Sequence, residues 1–113
     1  MKVRLGIYEI DLGLLHTELR EEYWGRSNMV DQWMRVAPGM TRERALETLL
    51  HEVLHLSLGR GGWKDLDSDE KLIRHLAEDL AGFCLANRPL FDAFLDGRYE
   101  ALLCGASWPS PPA

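Results

Sequence analysis

The first third of the chain carries short apolar runs whose alternation with polar positions is typical of β-strands. Residues 3 to 10, VRLGIYEI, are rich in β-branched and aromatic types and predict a first strand. Residues 11 to 21 fit a loop, a short helical turn or a second strand equally well. This part of the chain is therefore predicted to be a strand-rich N-terminal region.

A second β signal follows and predicts a hairpin. Two short runs, at 23–24 and 32–36, flank the turn-prone residues Gly25, Ser27 and Asn28. The run at 32–36 lies nearest in sequence to the helix described next. We therefore expect it to form the sheet edge beside a functional cleft, with an internal position for this strand as the alternative.

The apolar period then changes to that of a helix. Thr41 is a favourable N-cap, and the helical pattern extends from Arg42 to about Leu58–Gly59, where glycine suits a C-terminal cap. The predicted core side of this helix contains Leu46, Leu49, Leu50, Val53, Leu54 and Ser57. The opposite side contains Arg44, Glu47, His51 and His55.

Two further helices are predicted after a loop of about nine residues, GRGGWKDLD. The second helix starts near Ser68 or Asp69 and runs to about Asn87, and the third covers 89–97. The predicted apolar face of the second helix contains Leu72, Ile73, Leu76, Leu80, Phe83 and Cys84. The proline-rich tail at 105–113 is predicted to be disordered.

Strands followed by helices indicate an α+β fold, and the 113-residue length indicates one domain, over residues 1–104. The net charge of −5 disfavours nucleic acid as a partner. No apolar run approaches the roughly 20 residues of a membrane span, and no signal peptide is recognisable. Cys84 and Cys104 form no close metal-type pair and are read as free thiols, so we expect a cytoplasmic protein.

The most informative motif is HEVLH, at residues 51–55, within the first predicted helix. His51 and His55 lie one turn apart, so both imidazoles project from the same side and can reach one ion. Glu52 lies about 100° further round the helix, where it can reach a water bound to that ion rather than the ion itself. This is the H-E-x-x-H arrangement of metallopeptidases, with the glutamate as general base. The alternative is a pair of surface histidines on an amphipathic helix.

A catalytic zinc needs a third protein ligand and keeps one open position. A third histidine six residues after His55 is excluded, because Gly61 occupies that position. Glu70, early in the second helix, has the favoured wheel position. Asp69 is a competitor with a shorter side chain. Imidazole and carboxylate ligands with an open position favour zinc over manganese or cobalt.

The combination of ETLLHEVLH, the helix DEKLIRHLAEDLAGF and NRPLF resembles small phage-type proteins of the zincin superfamily, related to the ImmA/IrrE and SprT-like metallopeptidases. The resemblance covers residues 22–97. It implies a minimal zincin-like fold: N-terminal antiparallel strands with a hairpin, the HExxH helix, a second ligand-bearing helix and a short C-terminal helix. It also implies Glu70 as third ligand. Where the ImmA/IrrE form shows Glu-x-Glu-Ala-Asn, this chain has Leu72, Ile73 and Arg74, so repressor cleavage is not implied.

These observations predict a zinc metallopeptidase that hydrolyses a protein or peptide, with ligands His51, His55 and Glu70 and the base Glu52. The alternative is a zinc-binding, non-catalytic interaction module of the same fold. Candidate oxyanion stabilisers by residue type are Tyr23, Arg74 and His75. Trp24, Trp33 and Trp63 are read as core residues, with Trp63 the best candidate for a groove-lining exception. The substrate sequence and the oligomeric state are left open.

Overall fold

A computed structural model describes residues 1–16 and 24–104 of the chain, and its first element is a β-hairpin. Strand β1 (Lys2–Leu5) pairs antiparallel with β2 (Tyr8–Leu14). The prediction of one strand over 3–10 is wrong, because Gly6 adopts a left-handed φ of 63° and reverses the chain. Strand β2 continues into the segment that the sequence left ambiguous, while residues 17–21 lie outside the described part.

The predicted hairpin is confirmed, but its turn is displaced along the chain. Strand β3 (Gly25–Asn28) pairs antiparallel with β4 (Trp33–Val36). The glycine and polar residues expected in the turn form the first strand instead. The reversal lies at 29–32, where Gln32 has a φ of 55° and the Asp31 amide donates to Asn28 Oδ1. Residue 23, expected in the first strand, lies outside the described part.

The four strands form one mixed sheet in the order β1–β2–β4–β3. The expected antiparallel pairing holds within β1–β2 and within β3–β4, but the second half of β2 pairs parallel with β4, with Asp11 opposite Trp33. Strand β4 is therefore internal, and the expectation that 32–36 forms the edge beside the cleft is wrong. Strand β3 is the edge strand that packs on the first helix.

Helix α1 (Arg42–Arg60) packs on this sheet and begins as the sequence predicts. The Thr41 hydroxyl accepts a hydrogen bond from the Arg44 amide, and the helix ends one residue before Gly61. Its most buried residues, however, are Thr48, Glu52 and Leu56. The predicted core side is only partly buried. The side of α1 that packs on the sheet lies between the aliphatic residues and the histidines. Leu56, Ile10 and Met34 form the centre of the core.

The predicted loop after α1 contains a short helix, α2 (Lys64–Asp67), and α3 (Glu70–Ala86) follows within two residues of its predicted bounds. Ile73, Ala77 and Ala81 are the buried residues of α3. The predicted apolar face is therefore partly wrong: Leu76, Leu80 and Phe83 are exposed. Two of the three buried residues are alanines, and the prediction considered only large apolar side chains.

The chain divides into two compact units, Met1–Gly82 and Phe83 onward. In the second unit, α4 (Arg88–Leu95) confirms the predicted third helix, and α5 (Tyr99–Cys104) was not predicted. Phe94 and Tyr99 stack with ring centroids 4.9 Å apart. Both cysteines are free. The tail at 105–113 lies outside the described residues. Over the described ranges, no helix combines the length and hydropathy that crossing a bilayer requires.

Candidate metal centre

The two histidines of the HEVLH motif point their Nε2 atoms toward the same place. They lie one turn apart on α1, so their side chains project in the same direction. His51 Nε2 and His55 Nε2 are 3.2 Å apart, and the two rings meet edge to face with centroids 4.9 Å apart. Both side chains are largely shielded from solvent. The motif thus presents two converging imidazole nitrogens at the surface of the first unit.

Glu70, the first residue of α3, brings a carboxylate to these two nitrogens. Its Oε1 lies 2.8 Å from His55 Nε2, and its Oε2 lies 3.1 Å from His51 Nε2. The competing Asp69 does not join the group. Its Oδ1 accepts the Leu72 amide at 3.1 Å and so caps the N-terminus of α3. The structure brings together His51, His55 and Glu70.

The spacing of these donor atoms suits a small tetrahedral ion. Ligand atoms about 2.0–2.1 Å from a tetrahedral zinc lie about 3.3 Å from one another. The two imidazole nitrogens are 3.2 Å apart, each lies 2.8–3.1 Å from a different oxygen of Glu70, and one donor atom from each of the three residues can be chosen within 4.8 Å of the others. The Glu70 side chain is 58% exposed, so the group opens to solvent on that side. Two imidazoles and one carboxylate with an open side are the donor set of a catalytic rather than a structural zinc site.

A second carboxylate, Asp67 of α2, contacts the far side of the His55 ring. Its Oδ1 lies 2.7 Å from His55 Nδ1. Burial alone would lower the pKa of His55. The hydrogen bond to Asp67 and the negative charges of Glu70, Glu52 and Asp67 outweigh this effect and raise the pKa above its ordinary value of 6.5. The sequence placed Asp67 in the loop after α1 and indicated no role for it at the site. Its position three residues before Glu70 was the one sequence feature that could have connected it to the site.

Glu52, the predicted base, lies in the same cleft but on the side of α1 that faces the sheet. It is only 7% exposed, and its Oε1 accepts a hydrogen bond of 2.7 Å from the Ser27 hydroxyl. Strand β3 therefore positions this carboxylate through Ser27, a residue that no sequence motif connects to Glu52. Gly25 permits the close approach, since a Cβ there would lie 2.7 Å from Thr48 Cγ2 and 3.0 Å from Glu52 Cγ.

Strand β3 borders this cleft. Within the described ranges, no other strand pairs with its outer edge. The Ala37 amide donates to the Trp24 carbonyl, and hydrogen-bonded pairs alternate along an antiparallel ladder. The backbone groups of Gly25 and Ser27 therefore point away from β4. An extended segment could pair with them while passing directly beside Glu52.

The cleft has a volume of about 840 Å³ and includes the three donor residues and Glu52. Trp24 lines it and is 56% exposed, so its predicted core position is wrong. The Arg44 guanidinium lies 5.5 Å from the centroid of the Trp24 ring. Trp63 is exposed and does not line this cleft, and Trp33, partly buried, lines a smaller pocket.

The candidate oxyanion stabilisers differ in whether they line the cleft. Arg74 lines the cleft. His75 does not, and its Nε2 instead lies 3.4 Å from Asp79 on the exposed surface of α3. Residue 23, the third candidate, lies outside the described part of the chain. Of the two candidates within the described residues, Arg74 is the one that lines the cleft.

No protein-family model, curated protein or solved structure matches this chain. The residues and contacts of the site itself are therefore the evidence for its function.

Proposed function

We propose that the chain is a zinc-dependent metallopeptidase with a minimal zincin-like fold, related to the ImmA/IrrE and SprT-like enzymes. The observation that supports this most strongly is the pairing of a three-donor group with a separate buried carboxylate. His51, His55 and Glu70 would hold the ion. A zinc ion bound there supplies a more acidic water and a polarised substrate carbonyl. Imidazole and carboxylate donors make zinc the favoured metal over manganese or cobalt.

Glu52 then serves as the proton carrier. Its carboxylate accepts the proton of the attacking water and delivers it to the amine that leaves when the peptide C–N bond breaks. The hydrogen bond from Ser27 to Oε1 orients the carboxylate, whose remaining lone pairs can accept from the water. Arg74 is the side chain of the cleft that we assign to the developing oxyanion.

The substrate class follows from the outer edge of β3. An extended peptide can add to this edge through main-chain hydrogen bonds to Gly25 and Ser27, which recognise backbone and not a particular sequence. The net charge of −5 and the mixed charges of the cleft argue against a nucleic acid substrate. The free cysteines fit a reducing, cytoplasmic location.

The test compares the native chain with Glu52→Gln on a library of internally quenched peptides and on an unfolded protein, each with zinc added. We expect the native chain to cleave and the variant to lose about 10²- to 10⁴-fold in rate, since general base catalysis is removed. Zinc binding should be equal in both, because Glu52 lies outside the donor group. Equal cleavage rates would refute the assigned base. Metal binding with no cleavage by either protein would favour the non-catalytic binding module.

A further inference from the structure

The hydrogen bond between Asp67 and His55 connects the candidate metal centre to the segment that joins α1 and α3. His55 Nδ1 and Asp67 Oδ1 are 2.7 Å apart, a short, charge-assisted distance. The imidazole is mostly shielded and the carboxylate is partly shielded. Water therefore competes less for this contact than for an ion pair on an open surface.

The segment that carries Asp67 is itself closed by backbone hydrogen bonds. The Asp67 amide donates to the Trp63 carbonyl at 2.8 Å, and the Ser68 amide donates to the Lys64 carbonyl at 3.0 Å. Helix α2 also packs on α1. Asp67 is thus delivered to His55 by a defined turn of backbone and not by a freely moving side chain.

This contact determines which nitrogen of His55 is available to a metal. In a neutral imidazole one nitrogen donates and the other carries a lone pair. A carboxylate only accepts, so Nδ1 must hold the proton and Nε2 presents its lone pair toward Glu70 and His51. Within the described residues, the structure gives no hydrogen bond to Nδ1 of His51. The two histidines of the motif are therefore held in different ways.

We propose that Asp67 is a positioning residue that fixes the tautomer and ring orientation of His55 and thereby strengthens metal binding. The inference depends on the metal centre proposed above but not on catalysis. Partners of this kind in known metal sites change metal affinity by about 10- to 100-fold when removed. Each acidic residue of the segment DSDE, at 67–70, then has its own role: Asp67 orients His55, Asp69 caps α3, and Glu70 supplies the carboxylate.

The experiment measures zinc affinity by competition with a chromophoric chelator. Asp67→Ala should weaken binding about 10- to 100-fold. Asp67→Asn should weaken it less, since the amide oxygen can still accept from Nδ1. Asp65→Asn is the matched control, because it removes the same charge from an exposed position of the same helix, and it should bind as the native chain does.

A double-mutant cycle separates orientation from a general effect of charge. His55→Ala keeps two donors and should bind zinc too weakly to survive dialysis but measurably by competition, and adding Asp67→Ala to it should cost less than about 2-fold further affinity, because contacting residues are coupled. Native-like affinity of Asp67→Ala, or an equal loss with and without His55, would overturn the inference while leaving the metallopeptidase proposal intact. Failure of the native chain to bind zinc would instead refute the metal centre. Circular dichroism of each metal-free variant verifies that it folds.

Discussion

The close approach of strand β3 to helix α1 depends on the absence of a side chain at position 25, and Gly25→Ala tests this directly. A Cβ at that position would lie 2.7 Å from Thr48 Cγ2, 3.0 Å from Glu52 Cγ and 3.2 Å from the Arg35 carbonyl oxygen. Threonine is stiff at χ1, and Thr48 and Glu52 are buried, so neither can move away freely. The strand must therefore shift away from the helix or the contacts must stay compressed.

Two effects of opposite sign act on the free energy of unfolding of this variant, so the sign of the measured change shows which is larger. Without a clash, alanine would stabilise the fold by about 0.4–1 kcal/mol, because it restricts the unfolded chain. Overpacking of a tight contact costs about 1–3 kcal/mol. Since one contact is well below the van der Waals distance, we expect a net loss of about 1–2 kcal/mol, and also weaker hydrolysis as Ser27 moves from Glu52.

Urea unfolding of the metal-free chain measures this free energy. Gly82→Ala is the control, since a Cβ there meets nothing within 4 Å and alanine favours the helix by about 1 kcal/mol. Thr48→Ser removes the methyl group that lies 2.7 Å away, so it should recover part of the loss in the double variant. If Gly25→Ala proved as stable as Gly82→Ala, the packing of β3 on α1 described here would be refuted.

Three further substitutions have expected outcomes. Ser27→Ala should lower the free energy of unfolding by about 1–3 kcal/mol, because the buried Glu52 carboxylate loses its donor, and urea unfolding measures this. Asp69→Ala should cost about 1 kcal/mol through loss of the α3 cap, measured in the same way, while zinc stoichiometry stays unchanged. The hydrogen bond from Arg35 holds the pKa of Asp11 below its ordinary value of 3.8, so this carboxylate contributes stability above that pH and the contribution is lost as pH falls below it. Asp11→Asn should therefore unfold with less pH dependence on the acid side, and an unchanged acid profile would show that the pair contributes nothing.

The parts of the fold that the sequence predicted well are those set by local chemistry. The cap at Thr41, the helical spacing of His51 and His55, and the acidic start of α3 all depend on neighbours a few residues away. The donor group could be anticipated for this reason, since one helix supplies two of its members. The wheel position already favoured Glu70 over Asp69, and the structure adds the reason: Asp69 caps α3, whereas Glu70 reaches the histidines.

The missed features depend on contacts between residues far apart in sequence. Parallel pairing of β2 with β4 made β3 the edge strand, and no local pattern determines strand order. The burial of Glu52 is a second example. The helical-wheel pattern predicted that the aliphatic residues of α1 face the core. The sheet instead covers a side of the helix that includes Glu52, whose carboxylate accepts a hydrogen bond from Ser27. The contact between Asp67 and His55 spans 12 positions and depends on how α2 folds back onto α1.

Metal analysis of the purified protein tests the central claim most directly. After loading with zinc and exhaustive dialysis, the native chain should retain one equivalent, and so should Glu52→Gln and the control His75→Ala, whose histidine lies on the exposed face of α3. His55→Ala should retain no stoichiometric metal, because it removes one of the three donors. One equivalent retained by His55→Ala, or none by the native chain, would contradict the account.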